Sequence, residues 1–125
     1  MRLMVVEDDA KLLDIVRLRL SKAGYDVRAA SNGRAALLQL MQSPADIVIT
    51  DWKMPEMTGV ELCRAIRSTP ALRHTYVIML TGQASSEEQV EGFHAGADDY
   101  LTKPFQMDTL LSSIRTAQQV IGHAA

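Results

Sequence analysis

The chain has 125 residues, 47% of them hydrophobic and 22% charged, which is typical of one globular domain. Its formal net charge of −2 gives no excess of positive charge for nucleic acid or an anionic membrane, so we expect no direct binding to either. The only cysteine is Cys63, which excludes an intrachain disulfide. The start of the sequence shows no signal peptide or membrane span, so we expect a cytoplasmic location.

Short apolar runs alternate with amphipathic segments along the chain. In chain order, the predicted elements are strand Leu3–Val6, helix Lys11–Lys22, strand Tyr25–Ala30, helix Arg34–Gln42, strand Asp46–Thr50, helix Gly59–Ser68, strand Tyr76–Leu80, helix Ser86–Ala95, strand Asp99–Leu101 and helix Met107–Ile121. Strict alternation favours a parallel sheet covered by helices on both faces. We therefore predict one α/β domain over residues 1–125, a doubly wound (βα)5 fold of the flavodoxin-like class with strand order 2-1-3-4-5.

Polar residues collect where the predicted strands end. Glu7 and Asp8 follow the first strand, and Asp51 follows the third. Thr81 follows the fourth strand and Lys103 the fifth. Ligands of open α/β sheets bind at this edge, and adjacent first and third strands would bring the three carboxylates together. Such a cluster requires shared protons or a divalent cation, and Mg²⁺ suits oxygen ligands beside a phosphate. The set matches phosphoryl transfer to a carboxylate.

Several other residues have structural interpretations. Asp9 precedes the first helix, and we expect it to cap that helix rather than bind metal. Cys63 lies in a helical stretch and is expected to be a core residue. Gly33, Gly59 and Gly96 are interpreted as turn or cap glycines.

Four segments carry a family resemblance: VVEDD at residues 5–9, DWKMPEMTG at 51–59, LTG at 80–82 and GADDYLTKPF at 96–105. In this order they resemble the receiver domain of bacterial two-component response regulators, the family of the chemotaxis regulators. The resemblance covers essentially the whole chain. The chain is therefore expected to be a stand-alone receiver or the N-terminal part of a longer response regulator.

The resemblance implies that Asp51 accepts a phosphoryl group from a phosphohistidine. It implies that Asp8 and Asp51 bind Mg²⁺ directly, for which Mn²⁺ could substitute. The backbone carbonyl of Lys53 is a further implied ligand, while Glu7 acts mainly through a bound water. In this family such a site catalyses only its own phosphorylation and dephosphorylation.

The resemblance also implies how the signal leaves the site. Thr81 would hydrogen-bond one phosphoryl oxygen and Lys103 would pair with another, with the Lys103–Pro104 peptide bond in the cis form. Tyr100 would be the switch aromatic, turning inward as Thr81 moves. Together they would change the face formed by the fourth helix, the fifth strand and the fifth helix. The implied partners are a sensor histidine kinase or phosphotransfer protein and a downstream effector domain or target protein, with a phosphorylation-dependent homodimer as a further hypothesis.

Three alternative functions stay open at this point. A haloacid-dehalogenase-type phosphatase also uses a strand-end aspartate and Mg²⁺, although its D-x-D motif would need a carboxylate where Lys53 stands. A flavodoxin-like flavin module would need a loop of small residues around the flavin phosphate, where this chain has Glu7, Asp8 and Asp9. A pseudo-receiver would bind partners without being phosphorylated.

Overall fold

The computed structural model describes residues 1–82 and 95–124. The predicted helix Ser86–Ala95 falls outside these residues except for its last position. The strands are β1 (Arg2–Val6), β2 (Asp26–Ala30), β3 (Ile47–Asp51), β4 (Tyr76–Thr81) and β5 (Asp99–Thr102). The helices in the described ranges are α1 (Ala10–Lys22), α2 (Gly33–Gln42), α3 (Gly59–Ser68) and α4 (Met107–Ala124). Every other predicted element is present, and nearly all of the observed bounds lie within one residue of the predicted ones. The exception is the last helix, which ends at Ala124 instead of Ile121.

The strands form a single parallel sheet in the order β2-β1-β3-β4-β5. The predicted doubly wound, flavodoxin-like topology is therefore confirmed. β1 and β3 are neighbours, with Val6 opposite Thr50, so the loops that follow these two strands lie side by side. On the other side of β3, Asp51 lies opposite Leu80 of β4. This register places the ends of β1, β3 and β4 together at one edge of the sheet.

Alternate strand residues point to opposite faces of the sheet, and each face has its own apolar core. On β1, Leu3 and Val5 face one core, while Met4 and Val6 face the other. α1 and α4 cover the first face and α2 and α3 cover the second. The helix residues buried in the first core are Val16, Leu20, Leu110, Ile114 and Ala117. Those buried in the second are Ala36, Leu40, Val60, Leu62, Cys63 and Ile66.

Side-chain caps fix where the helices begin. The carboxylate of Asp9 accepts hydrogen bonds from the backbone N–H groups of Lys11 and Leu12 at the start of α1, which confirms the capping prediction. At the start of α3, Thr58 and Glu61 form a capping box, each side chain bonded to the backbone of the other. These caps hold the loops that follow β1 and β3 in defined conformations.

None of the helices in residues 1–82 and 95–124 has the length and hydropathy that a membrane-spanning helix requires.

Candidate functional site

Three carboxylates meet at the carboxyl edge of the sheet. Glu7 and Asp8 directly follow β1, and Asp51 is the last residue of β3. One carboxylate oxygen from each lies within 4.8 Å of the others. Glu7 is only 2% exposed and Asp51 only 8%, while Asp8 is exposed to solvent. The expected convergence of these side chains is thus present, and their oxygen atoms are the donors that Mg²⁺ prefers.

Lys103 supplies the positive charge at this cluster. Its Nζ forms an ion pair with Glu7 Oε1 and a second one, at 3.1 Å, with Asp51 Oδ2. The backbone N–H of Lys103 donates to the carbonyl of Thr81, which ties the end of β5 to β4. The Lys103–Pro104 peptide bond is cis, as the family resemblance implies. One ammonium group therefore bridges the two buried carboxylates.

The protonation of two groups reflects this crowding. Partial desolvation, followed by a hydrogen bond with Glu7 and the charge of Glu7, raises the pKa of Asp8. Burial on its own would lower the pKa of Lys103, but its hydrogen bond with Glu7 and the charge of Asp51 outweigh burial, so the pKa is raised. Lys103 is therefore held in its charged form, and Asp8 resists adding a further negative charge. Besides desolvation, the raised pKa of Asp8 reflects the excess negative charge of the cluster, which a bound cation would relieve, while the charged Lys103 already offsets part of it.

The backbone orients the Asp51 carboxylate. Its Oδ1 accepts a 2.9 Å hydrogen bond from the N–H of Trp52, a group that also donates to the carbonyl of Leu80 at 2.8 Å. Its other oxygen, Oδ2, faces Lys103. The Trp52 side chain is buried in the core beneath α2 and α3. Asp51 thus has one oxygen fixed by the backbone and the other at the carboxylate cluster.

Thr81 lies at the end of β4 with its side chain fully buried. Within the described ranges, its hydroxyl oxygen has no hydrogen-bond partner. A buried hydroxyl without a partner costs about 1–3 kcal/mol. An incoming oxygen atom at this edge would satisfy it.

The structure gives the positions of the site residues, whereas the expected roles stay predictions for Asp51, Asp8, Glu7, Thr81 and Lys103, as they do for two further residues. Lys53 lies in the loop between β3 and α3 with its side chain exposed, and its carbonyl as a metal ligand stays a prediction. Tyr100, in β5, is half-buried and packs against the core under α2 and α3. Its switching role likewise stays a prediction.

Sequence reasoning missed an arginine network at the opposite edge of the sheet. The guanidinium of Arg67, near the end of α3, donates five hydrogen bonds: to the carbonyls of Arg73 and Thr75, twice to the carbonyl of Gly96, and to the carboxylate of Asp98. Asp98 also accepts from the backbone N–H of Val77. The sequence signal that pointed toward this network was a basic residue in the last turn of a predicted helix, which does not specify its partners.

Gly59 does not lie in a turn or at a helix cap, the position that was predicted for it. It is buried as the first residue of α3, and a Cβ atom added to it would lie 2.2 Å from the backbone carbonyl oxygen of Asp51. Gly96 does have the positive φ, +106°, that a turn glycine permits.

Comparison with known proteins agrees with this geometry. Residues 3–115 match the family model of the response regulator receiver domain. The chain belongs to this family. The phosphate regulon transcriptional regulatory protein PhoB of Rhizobium meliloti is 35% identical over 114 residues, which are 91% of this chain and 50% of PhoB. The response regulator MprA of Mycolicibacterium vanbaalenii is 41% identical over 114 residues, which are 91% of this chain and 48% of MprA.

Solved receiver structures are similar over nearly the whole chain. The chemotaxis response regulator CheY4 of Vibrio cholerae superposes with a TM-score of 0.88 at 35% identity, covering 93% of this chain and 97% of CheY4. The receiver domain of the Francisella response regulator 1452 gives a TM-score of 0.88 at 31% identity, covering 96% of this chain and 98% of the Francisella chain. This receiver domain therefore spans about half the length of the curated relatives it matches and nearly all of these solved chains.

The comparisons favour a signalling role over the phosphatase and the flavin-binding alternatives. The matched proteins described above are response regulators, and none is named as a phosphatase or a flavin protein. This receiver domain also has Lys53 where the dehalogenase-type acid/base would stand.

Proposed function

We propose that this receiver domain accepts a phosphoryl group on Asp51 from a phosphohistidine of a sensor histidine kinase or phosphotransfer protein, in a Mg²⁺-dependent reaction. The observation that supports this best is the setting of the Asp51 carboxylate. It lies within 4.8 Å of two further carboxylates and 3.1 Å from the Lys103 ammonium. Such a group has both the negative charge of a nucleophile and a nearby cation.

The metal would be held by oxygen atoms of four residues. Asp8 and Asp51 would bind Mg²⁺ directly, together with the backbone carbonyl of Lys53, and Glu7 would act through a bound water. Mn²⁺ could take the same place, since it prefers the same kinds of ligand. When bound, the ion neutralises the cluster so that an anionic phosphoryl group can enter.

Each step of the transfer uses a side chain at this edge of the sheet. An oxygen of Asp51 attacks phosphorus, the bond from phosphorus to the histidine nitrogen breaks, and the released imidazole keeps that electron pair and takes up a proton. The product is an acyl phosphate. Lys103 and the unpaired hydroxyl of Thr81 donate to its phosphoryl oxygens. Water later attacks phosphorus and restores the carboxylate, so the domain catalyses only its own phosphorylation and dephosphorylation.

The output follows from these new contacts. As Thr81 moves toward the phosphoryl oxygens, Tyr100 turns inward and the face built from β5, α4 and the predicted helix over residues 86–95 changes. That face signals to an effector domain or target protein and pairs with a second copy in a phosphorylation-dependent homodimer. We further propose that residues 1–125 are one receiver domain, either alone or at the front of a longer response regulator, that it acts in the cytoplasm, and that it contacts neither nucleic acid nor membrane itself.

Acetyl phosphate with Mg²⁺ tests the proposal without a partner kinase. Intact mass measurement should show one added phosphoryl group on the wild type and none without Mg²⁺ or in Asp51→Asn. Asp14→Asn is the matched control, because this aspartate is exposed on α1, where it forms a 3.8 Å ion pair with Arg17. This variant should be phosphorylated like the wild type. Unchanged phosphorylation of Asp51→Asn would refute the proposal, and so would sustained turnover of a phosphate monoester.

A further inference from the structure

We infer that Gly59 is a positioning residue for Asp51, because it lets the start of α3 rest directly on the backbone of the acceptor. This inference rests on the proposed function of Asp51. It concerns how the carboxylate is held in place, which the metal ligands and Lys103 do not explain.

The contact is too close for any side chain. A Cβ on Gly59 would lie 2.2 Å from the carbonyl oxygen of Asp51 and 3.1 Å from its carbonyl carbon. It would also lie 2.8 Å from the Sδ atom of Met79, a fully buried residue of β4. A flexible side chain could move aside, but the Asp51 carbonyl belongs to the central strand of the sheet. An added methyl group must therefore displace either α3 or the end of β3.

Further contacts hold α3 against β3. The N–H of Gly59 donates a 2.8 Å hydrogen bond to the carbonyl of Trp52, which closes the loop that follows Asp51. The Thr58–Glu61 capping box fixes the first turn of the helix. Trp52 in turn donates its N–H to the Asp51 carboxylate. The helix start, the loop and the carboxylate thus form one connected unit.

A shift of this unit would move the nucleophile relative to Lys103 and Thr81, which are held by other strands. Misplacement of a reacting group by about 1 Å can reduce a rate about a hundredfold. Replacement of Gly59 should therefore reduce phosphoryl acceptance more than its effect on stability explains.

The first experiment compares Gly59→Ala with Gly96→Ala. Gly96→Ala, the control, also places a side chain on a crowded glycine, since a Cβ on Gly96 would lie 2.8 Å from Arg67 Cγ and the φ of Gly96 is +106°. Gly96, however, lies at the opposite edge of the sheet from Asp51. Both variants are assayed at the same fraction of folded protein. The rate of phosphoryl transfer from acetyl phosphate is measured, and the Mg²⁺ affinity is measured by Trp52 fluorescence. We expect Gly59→Ala to lose about tenfold to a hundredfold in rate and to bind Mg²⁺ more weakly, and Gly96→Ala to stay within about twofold of the wild type.

A second pair decides the question if Gly59→Ala does not fold. Met79→Ala removes a side chain that lies beside Gly59 at the start of α3, while Ile78→Ala makes a similar cavity on the opposite face of the same strand. Met79→Ala should be the slower acceptor of the two at equal fraction folded. Equal rates within the pair that is used would overturn the positioning role. Absence of phosphorylation in the wild type would instead refute the proposed function, and Mg²⁺ affinity would then test Gly59 alone.

Discussion

Lys103 bridges two buried carboxylates, and Lys103→Met would remove that charge while keeping a side chain of similar length. At 3.1 Å, with an effective dielectric constant of about 20, the attraction between Lys103 and Asp51 is about 5 kcal/mol. Desolvation of both groups offsets part of this value. The variant would also leave Glu7 and Asp51 facing each other with no cation between them.

The expected loss of stability follows from this balance. Removing one partner of a buried ion pair costs about 3–5 kcal/mol. Because the Lys103 side chain is 22% exposed, we expect the free energy of unfolding to decrease by about 3 kcal/mol, the lower end of this range. Mg²⁺ should restore much of this loss, since a divalent cation among the carboxylates replaces the missing charge and stabilises the folded state by mass action.

Urea denaturation with and without Mg²⁺ measures both effects. Lys11→Met is the control, because Lys11 is exposed on α1 and its loss should change stability by less than about 0.5 kcal/mol. If Lys103→Met lowers the free energy of unfolding by the same amount with and without Mg²⁺, the placement of the ion among these carboxylates would be contradicted. A decrease no larger than that of Lys11→Met would refute the bridging role itself.

Other residues give simpler tests. Asp9→Ala should lower the free energy of unfolding by about 1 kcal/mol, and Asp9→Ser should retain most of the stability, because serine also caps a helix; equal losses in urea denaturation would contradict the cap. Arg67→Ala should cost about 2–3 kcal/mol by the same assay, with only partial recovery in Arg67→Lys, since an ammonium cannot make the five bonds of the guanidinium. Burial raises the pKa of the Cys63 thiol to about 11, so thiolate is scarce at pH 8, and a thiol-specific reagent should react slowly with the native domain and rapidly in urea. Fast reaction of the native protein would show that Cys63 is accessible.

The fold could be predicted largely because buried parallel strands have continuous apolar runs. Ile47–Asp51 and Tyr76–Thr81 are buried throughout, and a polar residue marks the carboxyl end of each. Since those ends share one edge of the sheet, the meeting of Asp51 with Glu7 and Asp8 could be inferred from strand order alone. The remaining errors are at element ends. Thr81 and Thr102 extend their strands by one residue, and the last helix ends at Ala124 rather than at the predicted Ile121.

The contacts of single atoms could not be predicted in this way. The sequence placed Lys103 near the carboxylates, but its simultaneous pairing with Glu7 and Asp51 depends on side-chain geometry. The five bonds of Arg67 go mainly to backbone carbonyls, which carry no residue-specific pattern. The close approach of Gly59 to Asp51 depends on how α3 packs on β3, and a glycine at a helix start has the same local signal as a capping residue.

The most direct test of the central claim is to identify the residue that carries the phosphoryl group. After reaction with acetyl phosphate and Mg²⁺, borohydride reduces an acyl phosphate to an alcohol, which converts the labelled aspartate to homoserine. Peptide mass spectrometry should then find homoserine at position 51 and intact carboxylates at positions 7 and 8. Homoserine at another position, or a phosphoryl group on a side chain outside this cluster, would contradict Asp51 as the acceptor.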